Sequence, residues 1–161
     1  MSVLVRINIL GTGAFVVSAI VAAVVFTPIV RTIGVVVALL LFAIGVAGFI
    51  WGYFTAVQRS RYDNISVTSL FLLLGEVSSI KIRRLMNGCL IVQGLGGLIT
   101  ALARTSTDGR SGSTLAFGVL VPLFGLGLNG LWSSRHGSFP PLDNINTLTP
   151  NPAIGKDRDH G

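Results

Sequence analysis

The sequence predicts an all-α integral membrane protein with four transmembrane helices arranged as two hairpins. The chain has 161 residues, is 51% hydrophobic and only 11% charged, and its mean hydropathy is +0.77. Soluble domains carry about 25% charged residues, so this composition indicates a protein that folds in a bilayer. The prediction also includes a short interfacial or re-entrant segment between the second and third helices.

Two uncharged runs near the N-terminus predict the first hairpin. The first predicted span covers residues 7–30 and the second covers residues 32–57. Because so few residues separate the runs, we expect the two helices to be antiparallel. A cleaved signal peptide is the alternative for the first run. That run is longer than a typical signal-peptide core, and a second span follows at once.

Small residues in both helices indicate close helix packing. Helices in lipid associate through van der Waals contact, which Gly, Ala and Ser favour because they let two backbones approach closely. At 3.6 residues per turn each set falls on one helix face, and we expect the two faces to pack against each other. The sets are Ala14, Ser18 and Ala22 in the first helix, and Gly34, Ala38, Gly45, Gly48 and Gly52 in the second.

The connection between the second and third helices contains an apolar segment at residues 65–76. A crossing requires about 20 residues, so this segment is predicted to lie along the membrane surface, to re-enter the membrane or to pack under the bundle. Lys81, Arg83 and Arg84 follow just before the third span. We interpret these basic residues as topological signals and as candidate contacts for anionic lipid.

The second predicted hairpin comprises spans at residues 85–103 and 115–132, joined by a polar loop. Pro122 lies inside the fourth span and is expected to kink it, because proline removes one backbone hydrogen bond. Residues 1–132 thus form the predicted bundle. Residues 133–161 are rich in Pro, Asn, Asp and Gly and are predicted to form an extended cytoplasmic tail.

The third span is the most polar of the four. Gly97 is predicted to be a packing position, and Gln93 lies on the same helix face. A buried amide requires a partner, so interhelical hydrogen bonds are predicted for Gln93, Asn87 and Asn129. In the tail, Phe139, Pro140 and Pro141 are predicted to dock a partner protein.

The positions of the charged residues disfavour several functions. All six acidic residues and both histidines lie outside the predicted spans, whereas ion-coupled transporters usually carry an ionisable group within the membrane. No phosphate loop, GxSxG or HExxH motif is present, and one cysteine provides neither a disulfide nor a thiolate cluster. No catalytic residue, metal ligand or cofactor is predicted. Basic residues lie at the ends of spans, where lipid headgroups explain them better than nucleic acid does.

The distribution of basic residues predicts that both termini are cytoplasmic. Nine Lys and Arg residues fall on one side of the membrane and three on the other, and the basic side is cytoplasmic by the positive-inside rule. The nine are Arg6, Arg59, Arg61, Lys81, Arg83, Arg84, Arg135, Lys156 and Arg158, and the three are Arg31, Arg104 and Arg110.

Two segments in the second half of the chain resemble a family of small four-helix bacterial membrane proteins. They are SLFLLLGEVSSIKIRRLMNGCLIVQ at residues 69–93 and AFGVLVPLFGLGLNGLWSSRHGSFPP at residues 116–141. That family is similar to the lipid uptake coordinator subunit of a mammalian-cell-entry (Mce) lipid importer, which is driven by ATP. The resemblance implies a non-catalytic accessory subunit of the bacterial inner (plasma) membrane, with membrane lipids and the Mce permease subunits as partners.

Two alternatives remain open at this point. An accessory subunit of a respiratory membrane complex would show the same packing residues and basic collar. A stand-alone lipid-binding protein or membrane enzyme would instead need polar residues that converge at one depth. Gln93, Asn87 and Asn129 are the candidates for such a site.

Overall fold

The computed structural model describes residues 2–25, 27–103, 106–107, 110–111 and 114–141. Within that part of the chain, four helical stretches are long and apolar enough to cross a membrane. They are Val3–Val24, Pro28–Arg59, Ile80–Ala103 and Thr114–His136. The protein is therefore an all-α, multi-pass membrane protein, and the predicted fold class is confirmed.

The first hairpin comprises α1 (Val3–Val24) and α2 (Pro28–Arg59). The boundary between the two helices falls earlier than predicted, because α1 ends at Val24 and Pro28 opens α2. Proline suits the first helical turn, where its fixed φ is favourable and its missing N–H is not needed. With 32 residues, α2 is about 48 Å long at 1.5 Å per residue. It thus exceeds the hydrocarbon core of a bilayer, which is about 30 Å thick.

A short helix, α3 (Val67–Leu72), lies in the connection that follows α2. It begins at Ser66, whose side-chain oxygen accepts a hydrogen bond from the Ser69 N–H at 3.1 Å. It ends at Leu73, which adopts a left-handed conformation with φ 52°. That conformation is unfavourable for leucine, but its side chain is fully buried in the main core and this packing holds it.

The second hairpin comprises α4 (Ile80–Ala103) and α5 (Pro122–His136). A 3₁₀ segment, Thr114–Leu120, precedes α5, so the fourth span changes from 3₁₀ to α-helix near its middle. Pro122 begins α5 instead of kinking a continuous helix, because a proline is accommodated without loss where a helix starts. In the loop between α4 and the 3₁₀ segment, Ser106–Thr107 pairs with Arg110–Ser111 in an antiparallel ladder.

The centre of the bundle is α5, which contacts each of the other four helices. Its side chains are buried on most of its circumference, whereas the other helices bury one face each. Their opposite faces present apolar side chains outward, such as Leu10, Ile29 and Phe54, which suits lipid contact. The main core is built around α5 by Val5, Phe15, Ala19, Ala38, Leu41, Leu73, Met86, Val121, Phe124, Leu128 and Trp132.

One end of the bundle, which we call the basic end, carries Arg59, Arg84 and Arg135. The chain after α5 folds back over this end in extended form. The Asn64 N–H donates to the Pro140 carbonyl at 2.8 Å, and the Ser138 N–H donates to the Val77 carbonyl at 3.2 Å. Residues 133–136 thus continue α5, and residues 137–141 pack on the α2–α4 connection. The rest of the predicted tail, residues 142–161, lies outside the described residues.

Candidate functional site

The glycine stripe of α2 packs against α5 and not, as predicted, mainly against α1. A Cβ atom added at Gly45 would lie 2.5 Å from the Phe124 Cα, and one at Gly52 would lie 2.7 Å from the Gly130 carbonyl carbon. At Gly48 the nearest atom is the Gly127 carbonyl carbon, at 3.2 Å. Because α5 has its own glycines here, the two backbones touch, which the predicted pairing with α1 did not take into account.

The small residues of α1 contribute less to packing than predicted. Ala22 is fully buried, and its Cβ would lie 3.3 Å from a Cβ added at Gly34, so this end of the stripe does meet α1. Ser18 is half-buried and its hydroxyl donates to the Phe15 carbonyl at 2.9 Å. Ala14 is exposed on the outside of the bundle. Among the described residues, Ala14 therefore does not belong to the buried face of α1, which includes Asn8, Thr12, Phe15, Ala19 and Ala22.

Two further small residues predicted to pack lie inside the bundle. Ala38 is only 2% exposed and belongs to the main core. Gly97 of α4 touches the 3₁₀ segment, because a Cβ added there would lie 2.5 Å from the Gly118 carbonyl oxygen. The 3₁₀ backbone can approach α4 this closely only because both positions are glycine.

Gln93 lies at the centre of a polar cluster that joins α1, α4 and α5. Its Nε2 donates to the Thr12 hydroxyl at 2.7 Å and to the Asn8 Oδ1 at 3.2 Å. Its Oε1 accepts the Gly125 N–H at 3.1 Å. Gln93 and Asn8 are fully buried. A buried amide without partners is costly in hydrocarbon, so these bonds hold the three helices in one register.

A second polar cluster caps the C-terminal end of α3. The Ser133 hydroxyl donates to the Leu70 carbonyl, the Asn129 Nδ2 to the Phe71 carbonyl at 3.0 Å, and the Asn87 Nδ2 to the Leu72 carbonyl at 2.7 Å. Asn129 also donates to the Asn87 Oδ1 at 3.0 Å. The last carbonyls of a helix have no partner within it. Side chains of α4 and α5 supply those partners here.

These two clusters contain amides and hydroxyls, which hydrogen-bond to each other and to the backbone. Of the described residues, no three His, Cys, Asp or Glu side chains are grouped so that they could hold a metal ion. Asn8 Nδ2 and Asn129 Oδ1 are buried and lack a hydrogen-bond partner among the described residues. The arrangement is thus suited to fixing helix positions, with most of its donors and acceptors already used.

Sequence reasoning missed Asn8, Thr12 and Ser133. Asn8 and Thr12 are four residues apart in a run that is otherwise almost entirely apolar, and the Thr12 hydroxyl also donates to the Asn8 carbonyl at 2.7 Å. That spacing places both side chains on one helix face and was the available signal. Ser133 lies one residue past the predicted end of the fourth span, so it was assigned to the tail.

The basic residues of α4 differ in their surroundings. Lys81 and Arg84 are exposed at the basic end, as a contact with lipid headgroups requires. Arg83 is half-buried, and its Nη1 donates to the Gly75 carbonyl at 3.2 Å. Arg83 thus stabilises the turn that leads into α4, in addition to any contact with lipid.

Phe139 does not have the free ring that a docking residue would need. It is 9% exposed and packs with Ala56, Leu70, Phe71 and Val77 in a second apolar cluster at the basic end. The Arg59 guanidinium lies 5.2 Å from the centre of its ring and also pairs with Asp63 at 2.6 Å. Folding back thus buries Phe139 in the chain's own core, and its docking role stays a prediction. Pro140 and Pro141 are exposed.

An open surface depression of about 480 Å³, which we call the α2 groove, lies between side chains on the outer face of α2 near the basic end. Its lining residues share one helix face and change from apolar to polar toward the end of α2. They are Ala47, Ile50, Trp51, Phe54, Thr55 and Gln58. The Arg135 guanidinium lies 5.7 Å from the centre of the Trp51 ring. Sequence reasoning did not identify this groove, although its lining residues recur at helical spacing along α2, and it did not place Arg135 beside Trp51 because Arg135 comes from another helix.

Comparisons of the chain with protein-family models, with curated proteins and with solved structures found no match in any of the three.

Proposed function

We propose that this chain is a non-catalytic accessory subunit of a multiprotein complex in the bacterial inner membrane. The supporting observation is the hydrogen bonding of Gln93. Its side-chain nitrogen donates to two residues of the bundle, and its side-chain oxygen accepts from a third. A stand-alone carrier or enzyme would need such buried polar groups for its substrate. In this chain they fix helix positions, which is the property of a structural subunit.

The proposed partner is the permease of an ATP-driven Mce lipid importer, which the chain would stabilise or regulate. This part of the proposal rests on the resemblance of residues 69–93 and 116–141 to the lipid uptake coordinator family. We also propose an orientation in which the basic end and both termini lie in the cytoplasm. It rests on the distribution of basic residues, since nine of twelve fall on that side.

The proposed contact with the permease is the outer face of α1. Ala14 is exposed there, and next to it Gly13 has no atom within 4 Å of the place where its Cβ would be. Two adjacent small residues on a lipid-facing surface allow a foreign helix to approach closely. Within the chain no described residue uses Gly13 for packing, so it is available to a partner.

The first experiment is purification of the tagged chain from its own membrane in mild detergent, followed by mass spectrometry. We expect the Mce permease and its ATPase in stoichiometric amounts. Stoichiometric respiratory subunits would move the chain to that assembly, and recovery of the chain alone would overturn the accessory role.

A pair of variants tests the proposed contact. Gly13→Leu should reduce the yield of permease at least fivefold, because a leucine blocks close helix approach. Gly88→Leu is the matched control, since Gly88 also has no atom within 4 Å of its Cβ position but lies on α4. Leucine is a better helix former than glycine by about 1 kcal/mol, so neither variant is expected to weaken its helix. Equal yields from both variants would refute the contact.

A further inference from the structure

The lining of the groove on α2 changes along the helix from apolar to polar, as a phospholipid does from its acyl chains to its headgroup. Ala47 and Ile50 lie at its apolar end and Thr55 and Gln58 at its polar end, and eleven residues separate Ala47 from Gln58. Eleven residues of α-helix rise about 17 Å, which is comparable to the glycerol region of a lipid with the upper half of one acyl chain. Trp51 lies between the two ends, and tryptophan is enriched at the level of the headgroups.

Arg135 provides a positive charge beside this groove. It is exposed, and its guanidinium lies over the Trp51 ring at 5.7 Å. Within the described part of the chain Arg135 forms no ion pair, whereas the neighbouring Arg59 is already paired with Asp63. Guanidinium groups bind phosphate well, because their planar N–H groups match two phosphate oxygens at once.

We propose that the α2 groove binds one anionic phospholipid of the surrounding leaflet. Its phosphate contacts Arg135 and the exposed amide of Gln58, and one acyl chain lies between Ile50, Trp51 and Phe54. The Thr55 hydroxyl donates to the Trp51 carbonyl at 2.8 Å, so it serves the lipid only as an acceptor. The positive charge of Arg135 favours an anionic lipid over a zwitterionic one. This site differs from the candidate lipid contacts at the start of α4, and it does not depend on the proposed function.

Tryptophan fluorescence provides a direct test in vesicles. The chain has two tryptophans, and Trp132→Phe leaves Trp51 as the only reporter. This variant is reconstituted into phosphatidylcholine vesicles that contain increasing fractions of brominated phosphatidylglycerol or brominated phosphatidylcholine. Bromine quenches a tryptophan that it touches. We expect the anionic lipid to quench Trp51 with about fivefold higher apparent affinity, the effect of one basic residue near a charged headgroup.

Two substitutions show whether Arg135 causes that preference. Arg135→Gln should abolish the preference, so that both lipids quench Trp51 with about equal apparent affinity, because it removes the charge beside the groove. Arg84→Gln removes one charge from the same end of the bundle on α4 and should keep the preference. Equal quenching by both lipids in the Trp132→Phe chain would overturn the proposal, as would a preference that survives Arg135→Gln or disappears equally with Arg84→Gln.

A second measurement does not depend on Trp132→Phe, whose buried ring position is sensitive to change. The unaltered chain is extracted from vesicles with equal amounts of the two lipids and examined by native mass spectrometry. We expect one retained phosphatidylglycerol, and at least threefold less retention by Arg135→Gln and by Ala47→Phe, which places a bulky ring at the exposed apolar end of the groove. Unchanged retention in both variants would contradict the site.

Discussion

The side chain of Gln93 on α4 hydrogen-bonds to both α1 and α5. One of these hydrogen bonds satisfies a backbone N–H in the first turn of α5. The first turn of α5 has a proline without an N–H, and the Gly125 N–H finds its acceptor in Gln93 Oε1. The first N–H groups of a helix have no acceptor within it. Gln93 therefore acts as a cap for α5 as well as a link to α1.

Replacing Gln93 with leucine removes these bonds at nearly constant volume. The Gly125 N–H and the Asn8 Oδ1 then lose a partner inside the bundle, and each such loss costs about 1–3 kcal/mol. We expect Gln93→Leu to lower the free energy of unfolding by about 2 kcal/mol in a titration with sodium dodecyl sulfate. Gln58→Leu makes the same change on the exposed face of α2 and should leave the unfolding curve unchanged. Superimposable curves for the two variants would contradict the capping role.

The polar residues show what sequence can and cannot predict at this scale. Gln93, Asn87 and Asn129 stand out because amides are rare in apolar spans, and all three hydrogen-bond between elements. Their partners did not follow from sequence. Asn8 lies on another helix, and two of the acceptors are backbone carbonyls of α3, whose position depends on how the connection folds.

At the scale of elements, the contact between α2 and α5 determines the arrangement of the bundle. Glycines on both helices let the two backbones touch along three successive helical turns. Hydropathy and small-residue spacing predicted the spans and the stripe on α2. They did not predict the partner helix, because a glycine stripe indicates close approach without stating which helix approaches.

Alanine at Gly45 is the mildest test of this contact. Its Cβ would lie 2.5 Å from the Phe124 Cα and N, so the backbones must separate. We expect Gly45→Ala to lower the free energy of unfolding by about 2 kcal/mol, within the usual range for an overpacked site. Gly13→Ala introduces the same methyl group where no atom lies within 4 Å, and it should be neutral or slightly stabilising. If the two variants unfolded alike, the close contact would be refuted.

At the scale of the whole molecule, the segment after α5 ties the basic end together. It bonds to the connection at Asn64 and Val77, and Phe139 packs under the Arg59 guanidinium. Composition suggested an extended tail from residue 133; residues 133–136 are helical, Gly137 is extended, and residues 138–140 have no regular secondary structure. Burial of Phe139 was not predictable from composition, because the cluster that receives it comes from α2, α3 and the turn at Val77.

Removing the Phe139 ring is expected to loosen this end without unfolding the bundle. Phe139→Ala should increase amide hydrogen exchange in residues 63–79 at least tenfold, because the cluster loses its largest shared contact. Exchange in α1, which does not touch this cluster, should stay the same. Ser138→Ala, an exposed position whose backbone bond is retained, is the control. Unchanged exchange in residues 63–79 after Phe139→Ala would show that the segment does not stabilise the connection.

The most direct test of the accessory role is photo-crosslinking in intact membranes. A benzophenone amino acid is placed at Gly13 on the outer face of α1, and separately at Gly88 on α4, where space is also free. We predict a crosslink from position 13 to the permease subunit of an Mce importer, and none to that subunit from position 88. Crosslinks from position 13 to lipid alone, or to a respiratory subunit, would contradict the account.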